Sequence, residues 1–195
     1  MTAKVYKFKI SYDKFENKIW REIEVSCNYP LSKLAYLVLV AFDTLANHMF
    51  FIECDGRHYE IDFDNDYIGI KTIDPTTVTL KQMNLKPGSA MTMIYNFGCE
   101  QKFKIVLESI IDMKKGTGSR YPRIVAGQGK GIIDNMFSSD FKNLIEKIDR
   151  TGKSTYKYLS PKGKKELWDY RDFDLDEVNR TLKSNIESIQ YGFES

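Results

Sequence analysis

A long apolar segment at residues 30–46 limits the folds open to this chain more than any other feature. Over this stretch apolar side chains fall on nearly every side of a helix, which predicts a helix buried against a sheet. Pro30 suits the first turn of such a helix, and Asn28 stands nearby as its cap. The most apolar part, LAYLVLVAF at 34–42, is too short to cross a bilayer.

Segments of alternating apolar and polar residues surround this helix and predict strands that bury one face. They form three predicted pairs: VYKFKISY at 5–12 with IWREIEVS at 19–26, MFFIEC at 49–54 with RHYEID at 57–62, and AMTMIYNF at 90–97 with KFKIVLESI at 102–110. This order of elements predicts an α+β fold with a mainly antiparallel or mixed sheet and one central helix.

Beyond residue 135 the pattern becomes helical. Ser138 or Ser139 is the predicted cap of a helix that runs to about 149, and Ser160-Pro161 predicts the start of a second helix to about 169. Asp174 with Glu177 three residues later resembles a capping box, which predicts a third helix to about 188.

The chain has 195 residues, enough for one sizeable core or two small ones. Its three cysteines are far apart and include no C-x-x-C pair, so neither a disulfide framework nor a zinc ribbon is expected. Reduced thiols fit a cytoplasmic protein. The first ten residues alternate charged and apolar side chains, unlike a signal peptide, and we expect no membrane segment.

Two glycine-rich strings resemble phosphate-binding loops but lack the required context. RTGKST at 150–155 ends like a P-loop, but Lys147 stands where the first glycine belongs, and a helix precedes it instead of a strand. AGQGKGIID at 126–134 contains G-x-G-x-G instead of G-x-G-x-x-G and lies outside any predicted βαβ unit. We therefore expect no nucleotide cofactor.

Residues that hold metals or activate nucleophiles are scarce. DFDND at 62–66 resembles the start of a calcium loop but has Tyr67 and Ile73 where that loop needs glycine and glutamate. His58 is a rough cross-strand neighbour of Cys54, and two ligands do not make a zinc site. We expect no metal site, no cofactor and no catalytic residue.

The charges are unevenly spread, although the formal net charge is only +2. Residues 112–165 carry 13 basic and 5 acidic side chains, whereas residues 166–195 carry 3 basic and 8 acidic ones. The basic stretch can contact a polyanion such as nucleic acid, or it can pair with the acidic tail or face water, which we favour. The candidate polyanion contacts are Lys153, Lys157, Lys162, Lys164 and Lys165, with Tyr156 and Tyr158 between them.

Six motifs in a fixed order resemble the plasmid pRiA4b ORF-3-like family over roughly residues 4–183. They are WREIEV at 20–25, HMFFI at 48–52, YNFGC at 95–99, Tyr121-Pro122 with Gly127, IID at 132–134, and FDLDEVN at 173–179. Proteins of this family have no established activity and are sometimes labelled as passenger proteins of insertion elements.

The resemblance implies a β-grasp-like α+β fold with C-terminal helices packed on the sheet. It implies one domain over residues 1–195, with the sheet and central helix in 1–111 and a loop and helices in 112–195. The string at 126–134 then corresponds to a connection between the sheet and the helices.

Several family positions differ in this chain. Phe50 replaces a histidine, Asn96 and Cys99 replace two acidic residues, and Met136 and Phe137 replace paired glycines. A metal or catalytic site built from the family's polar residues would lose much of its chemistry here.

Our leading hypothesis is a cytosolic, non-catalytic binding or interaction protein with a groove between the sheet, the 126–134 loop and the C-terminal helices. Its partner would be a protein or a small molecule. The candidate groove residues are His48, Tyr95, Glu100, Tyr121 and Asp134. One alternative is a nucleic-acid-associated accessory protein of a mobile element that uses residues 112–165, and another is a hydrolase-like enzyme that uses His48, Glu100 and Asp134.

Overall fold

The computed structural model of the protein describes residues 3–61 and 72–195. Its strands are β1 (Lys4–Tyr12), β2 (Trp20–Ser26), β3 (Phe50–Cys54), β4 (Arg57–Glu60), β5 (Thr72–Ile73), β6 (Ala90–Tyr95), β7 (Gln101–Asp112), β8 (Arg123–Gln128), β9 (Lys157–Leu159) and β10 (Lys165–Leu167). Its helices are α1 (Leu31–Ala41), α2 (Ser138–Thr151) and α3 (Leu175–Glu194). The DFDND string at 62–66 lies outside the described residues.

Strands β1 to β8 form one mixed sheet in the order β5-β4-β3-β6-β7-β1-β2-β8. Neighbouring strands are antiparallel except for β4 and β5, which are parallel. The predicted α+β class with a mixed sheet, a central helix and a C-terminal helix is confirmed. Strand β8 comes from the segment that the sequence predicted as a loop, and it pairs with β2 at the edge of the sheet.

Helix α1 is buried on both sides. Leu34, Leu37 and Val38 have no exposed surface. Helix α3 packs on α1, where the Phe193 ring lies 5.6 Å from the Tyr36 ring. Because the sheet covers one side of α1 and α3 covers another, a helix that is apolar all round is stable here.

The C-terminal half differs from the sequence prediction in its middle part. The helix predicted from Ser160-Pro161 is instead a turn between β9 and β10, in which the Ser160 N–H bonds the Lys164 carbonyl at 2.9 Å. Gly163 in this turn has a φ of +71°, a backbone angle that a helix cannot contain. Tertiary burial of Tyr158 and Trp168 holds the hairpin against the rest of the chain.

The ends of the helices explain two of the sequence motifs. The Glu177 N–H bonds the Asp174 carboxylate at 2.9 Å, which confirms the predicted start of α3. Helix α2 begins after Phe137 without a side-chain cap, so neither predicted serine caps it. Its last turn ends at Gly152 with a φ of +74°, so the GKST string is the C-terminal cap of a helix.

None of the helices within residues 3–61 and 72–195 is both long enough and apolar enough to cross a membrane.

Candidate binding groove

A groove of about 740 Å³ opens between the end of α1, the glycine-rich connection, the β9–β10 hairpin and α3. Two glycines allow these parts to approach one another. A side chain at Gly131 would place its Cβ 1.7 Å from the Phe42 carbonyl oxygen, and one at Gly127 would place it 2.7 Å from the Phe173 ring. The glycines of the AGQGKGIID string therefore serve close packing of the chain around this groove.

Arg21 lies at the floor of the groove and is only 1% exposed. Its Nε donates to the Ala41 carbonyl at 2.9 Å, and its Nη1 donates to the carbonyls of Trp20 and Gln128 at 2.8 Å. The guanidinium carbon lies 4.0 Å from the centre of the Phe173 ring. Burial lowers the pKa of Arg21 to about 9.

The third nitrogen of this guanidinium, Nη2, is available to a ligand. In the described part of the chain, Nη2 of Arg21 donates no hydrogen bond, and no carboxylate oxygen lies within 4.0 Å of the side chain. Arg21 therefore connects β2, β8 and the end of α1, and its charge has no ion-pair partner in residues 3–61 and 72–195.

Asp43 is the second charge of the floor and is half-buried. It follows α1 with a φ of +59°, and its Oδ2 accepts a hydrogen bond from the Tyr158 hydroxyl at 3.2 Å. Burial raises the pKa of Asp43, while the positive charges of Lys130, Lys162 and Arg21 oppose that rise. Over the described residues its Oδ1 accepts no hydrogen bond, although this atom is not fully buried.

The rim of the groove carries charges of both signs. Lys162 forms an ion pair with Glu177 of α3, and the Lys130 ammonium lies 5.4 Å from the centre of the Tyr158 ring. Ser160 donates to Glu166 at 2.9 Å. The groove therefore presents Arg21 and Asp43 beneath a rim on which Lys130 and Lys162 add positive charge near Asp43.

The structure brings together three of the candidate residues from the sequence, next to the groove instead of in it. Asp134 Oδ2 accepts hydrogen bonds from the Tyr95 hydroxyl at 2.7 Å and from the Leu45 N–H at 3.0 Å. The His48 ring lies 5.7 Å from the Tyr95 ring. Leu45 also lines the groove, so its segment separates the groove from the cluster of His48, Tyr95 and Asp134.

This cluster contains two buried polar atoms, His48 Nε2 and Asp134 Oδ1, that have no hydrogen-bond partner among the described residues. Burial raises the pKa of Asp134. A general base needs hydrogen-bond reach to the group that it serves, and His48 forms no hydrogen bond with an acid among the residues that the structure describes.

The other two candidates make their side-chain contacts with residues outside this cluster. Glu100 is exposed and pairs with Lys102 at 3.2 Å. Tyr121 lies beside Arg123 at the start of β8, with 5.7 Å between its ring centre and the guanidinium. Over the described residues, Glu100 forms no hydrogen bond or ion pair with His48 or Asp134, the other two residues of the hydrolase alternative.

The candidate polyanion contacts fall into two groups. Lys162 pairs with Glu177 of the acidic tail. The other four are exposed and form no ion pair with the part of the chain that the structure describes: Lys153, Lys157, Lys164 and Lys165.

No group of three or more histidine, cysteine, aspartate or glutamate side chains is placed to hold a metal within residues 3–61 and 72–195. In the β3–β4 hairpin Cys54 pairs with Arg57 and His58 with Glu53, so Cys54 and His58 are one position out of register.

Sequence reasoning missed Arg21 and Asp43 as groove residues, although one signal for Arg21 was present. Ile19 directly before β2 and the core-facing positions Arg21, Ile23 and Val25 on β2 are all buried. A charged residue in such an alternating series must find buried partners, and this makes it a candidate for a special role. Asp43 carries no comparable signal, because its burial depends on the distant Tyr158.

Comparison with solved structures finds a similar fold in a protein of unknown function, MM3350 from Methanosarcina mazei Go1. The TM-score is 0.72 at 19% sequence identity, over 91% of this chain and 98% of that chain. A comparison with curated proteins finds no match. The model of the plasmid pRiA4b ORF-3-like protein family matches residues 4–177, which is most of the chain. The chain therefore belongs to the plasmid pRiA4b ORF-3-like family.

Proposed function

We propose that this protein is a non-catalytic binding protein that holds a small molecule in the groove above Arg21 and Asp43. The observation that carries the proposal is a pair of opposite charges that line the groove, the buried Arg21 and the half-buried Asp43, neither of which has an ion-pair partner within 4.0 Å among the described residues. Burying a charge without pairing it costs free energy, so a site that retains two such charges is a candidate for binding.

The size and lining of the groove support a small-molecule ligand. Its volume of about 740 Å³ falls within the range of roughly 300–1,000 Å³ that is usual for such sites. Apolar side chains supply part of its walls: Val40, Ala46, Phe173, Val178 and Ile189. An apolar wall with a few convergent polar groups is the usual composition of a ligand site.

The test is a screen of a metabolite library by ¹H–¹⁵N NMR, with shifts read at the groove residues. Thr181→Trp fills the groove from an exposed position of α3 and should abolish the shifts. Ser184→Trp, on the same helix and outside the groove, is the matched control and should leave them intact. A library without a single compound that shifts groove residues contradicts the proposal.

Contact with a polyanion is a second candidate function. It is favoured by the exposure of Lys157 and Lys165, which stand on neighbouring strands of the β9–β10 hairpin without an ion pair in the described chain. The experiment that tests it measures binding to duplex DNA and single-stranded RNA at several salt concentrations, for the wild type and for variants of the hairpin lysines.

A further inference from the structure

Among the described residues, the atoms of Arg21 and Asp43 that remain free for hydrogen bonds are one nitrogen, which carries two N–H groups, and one oxygen. Two nitrogens of Arg21 are used on backbone carbonyls, and Nη2 remains. One oxygen of Asp43 is used by Tyr158, and Oδ1 remains. The remaining donor belongs to a cation, and the remaining acceptor belongs to an anion.

These two charges do not neutralise each other by direct contact, since no Arg21–Asp43 ion pair is formed within 4.0 Å. They are close enough for each to influence the ionisation of the other. A ligand with only a negative group would pair with Arg21 and meet the repulsion of Asp43. A ligand with only a positive group would pair with Asp43 and be repelled by Arg21.

The geometry points to a small zwitterion as the ligand: a molecule of the amino-acid class, with its carboxylate on Arg21, its ammonium group on Asp43 and its remainder against the apolar side of α3. This inference rests on the proposed function, because it names the ligand class of the same groove. The apolar part of that wall is formed by Val178 and Ile189.

The test compares three forms of each probe: the free amino acid, its N-acetyl derivative and its amide. The probes are phenylalanine, leucine, methionine and glutamine, titrated into the full-length protein and followed by NMR at groove residues. N-acetylation removes the ammonium group and amidation removes the carboxylate. For each probe that binds, either change should weaken binding about tenfold or more, as expected for the loss of a charge-assisted contact.

Asp43→Asn assigns the contacts. This variant keeps an oxygen that accepts from Tyr158 and removes the negative charge. N-acetylation of the probe should then lower the affinity by less than about threefold, while amidation should lower it as much as in the wild type. Asp176→Asn makes the same chemical change at an exposed position of α3 outside the groove and should leave the loss of affinity on N-acetylation and on amidation as in the wild type. A circular dichroism spectrum equal to that of the wild type verifies that each variant is folded.

The outcomes separate this inference from the proposed function. If library compounds occupy the groove but no free amino acid binds better than its two capped forms, the zwitterion is wrong and the binding groove stands. If neither the library nor any probe shifts groove residues, both ideas are wrong and Arg21 and Asp43 are structural charges only.

Discussion

At the scale of single residues, two half-buried aspartates stand out beside the groove. Asp43 and Asp134 each accept a hydrogen bond from a buried tyrosine, and burial raises the pKa of both. An aspartate with a raised pKa in the folded state favours folding when it is protonated. Its contribution to stability is fully present below its unfolded pKa of about 4 and is lost as the pH rises through its folded pKa.

Asp134→Asn should therefore stabilise the protein at neutral pH. The asparagine keeps an oxygen for Tyr95 and Leu45 and carries no charge, so the free energy of unfolding should exceed that of the wild type at pH 7. The difference should narrow as the pH falls toward about 4, where the wild-type carboxyl group becomes protonated in both states.

Urea denaturation of both proteins between pH 4 and pH 8 measures this difference, and Asp172→Asn gives the background of the substitution at an exposed site. The prediction is wrong if Asp134→Asn is less stable than the wild type at pH 7 and the difference in the free energy of unfolding does not change with pH. The charge of Asp134 would then not destabilise the folded protein.

At the scale of secondary-structure elements, the sequence predicted those strands and helix ends that depend on neighbouring residues in the chain. The strands β1, β2, β6 and β7 and the start of α3 follow from alternation and a cap. Helix α1 ends at Ala41 instead of 46, because Arg21 from β2 binds the Ala41 carbonyl and Asp43 takes a left-handed backbone angle. Neither contact is visible in the sequence of the helix itself.

Leu37→Ala should destabilise the protein by about 2–5 kcal/mol, the usual cost of a cavity at a buried leucine. Leu37 is fully buried on α1. Lys33→Ala, at a partly exposed position of the same helix, is the control for helix propensity. The midpoint of chemical denaturation is the measurement, and equal midpoints for Leu37→Ala and the wild type would contradict the burial of this helix.

The basic hairpin is the element on which the polyanion candidate depends. Lys157→Ala, Lys164→Ala and Lys165→Ala together remove three exposed charges. We expect no salt-sensitive affinity for duplex DNA or single-stranded RNA in the wild type, and we expect the triple variant to change stability little, because exposed charges contribute little to folding.

Gel-shift series at low and moderate salt are the measurement for the hairpin. Tight binding whose salt slope falls by roughly one unit per lost phosphate contact in the triple variant would support the polyanion function instead. Lys162→Ala serves as the comparison, since this lysine already pairs with Glu177.

At the scale of the whole molecule, the groove could not be predicted residue by residue because its walls come from distant parts of the chain. Arg21 from β2, Asp43 after α1, Gly131 and Tyr158 meet only in the folded protein. The sequence pointed to the right segments through the family motifs that contain Arg21 and Phe173. It could not show that Asp134 would face Tyr95 behind Leu45, nor that Glu100 would turn toward Lys102.

Helix α3 connects the stability of the core to the shape of the groove, because it covers α1 and also forms one groove wall. Phe193 fixes its last turn: the ring is 7% exposed and lies 5.2 Å from the Phe50 ring. Phe193→Ala should therefore cost about 3–5 kcal/mol, the usual range for a buried phenylalanine.

Tyr191→Ala is the matched control, because Tyr191 lies on the same turn of α3 and is 78% exposed. It should shift stability by less than about 0.5 kcal/mol. Amide hydrogen exchange along α3 then shows which part of the protein is destabilised. If the helix docks through its last turn, Phe193→Ala should exchange faster in α3 while strands β1 and β7 stay protected. Equal exchange in both variants would mean that α3 is held by its groove-facing half alone, and that the wall of the groove is independent of its end.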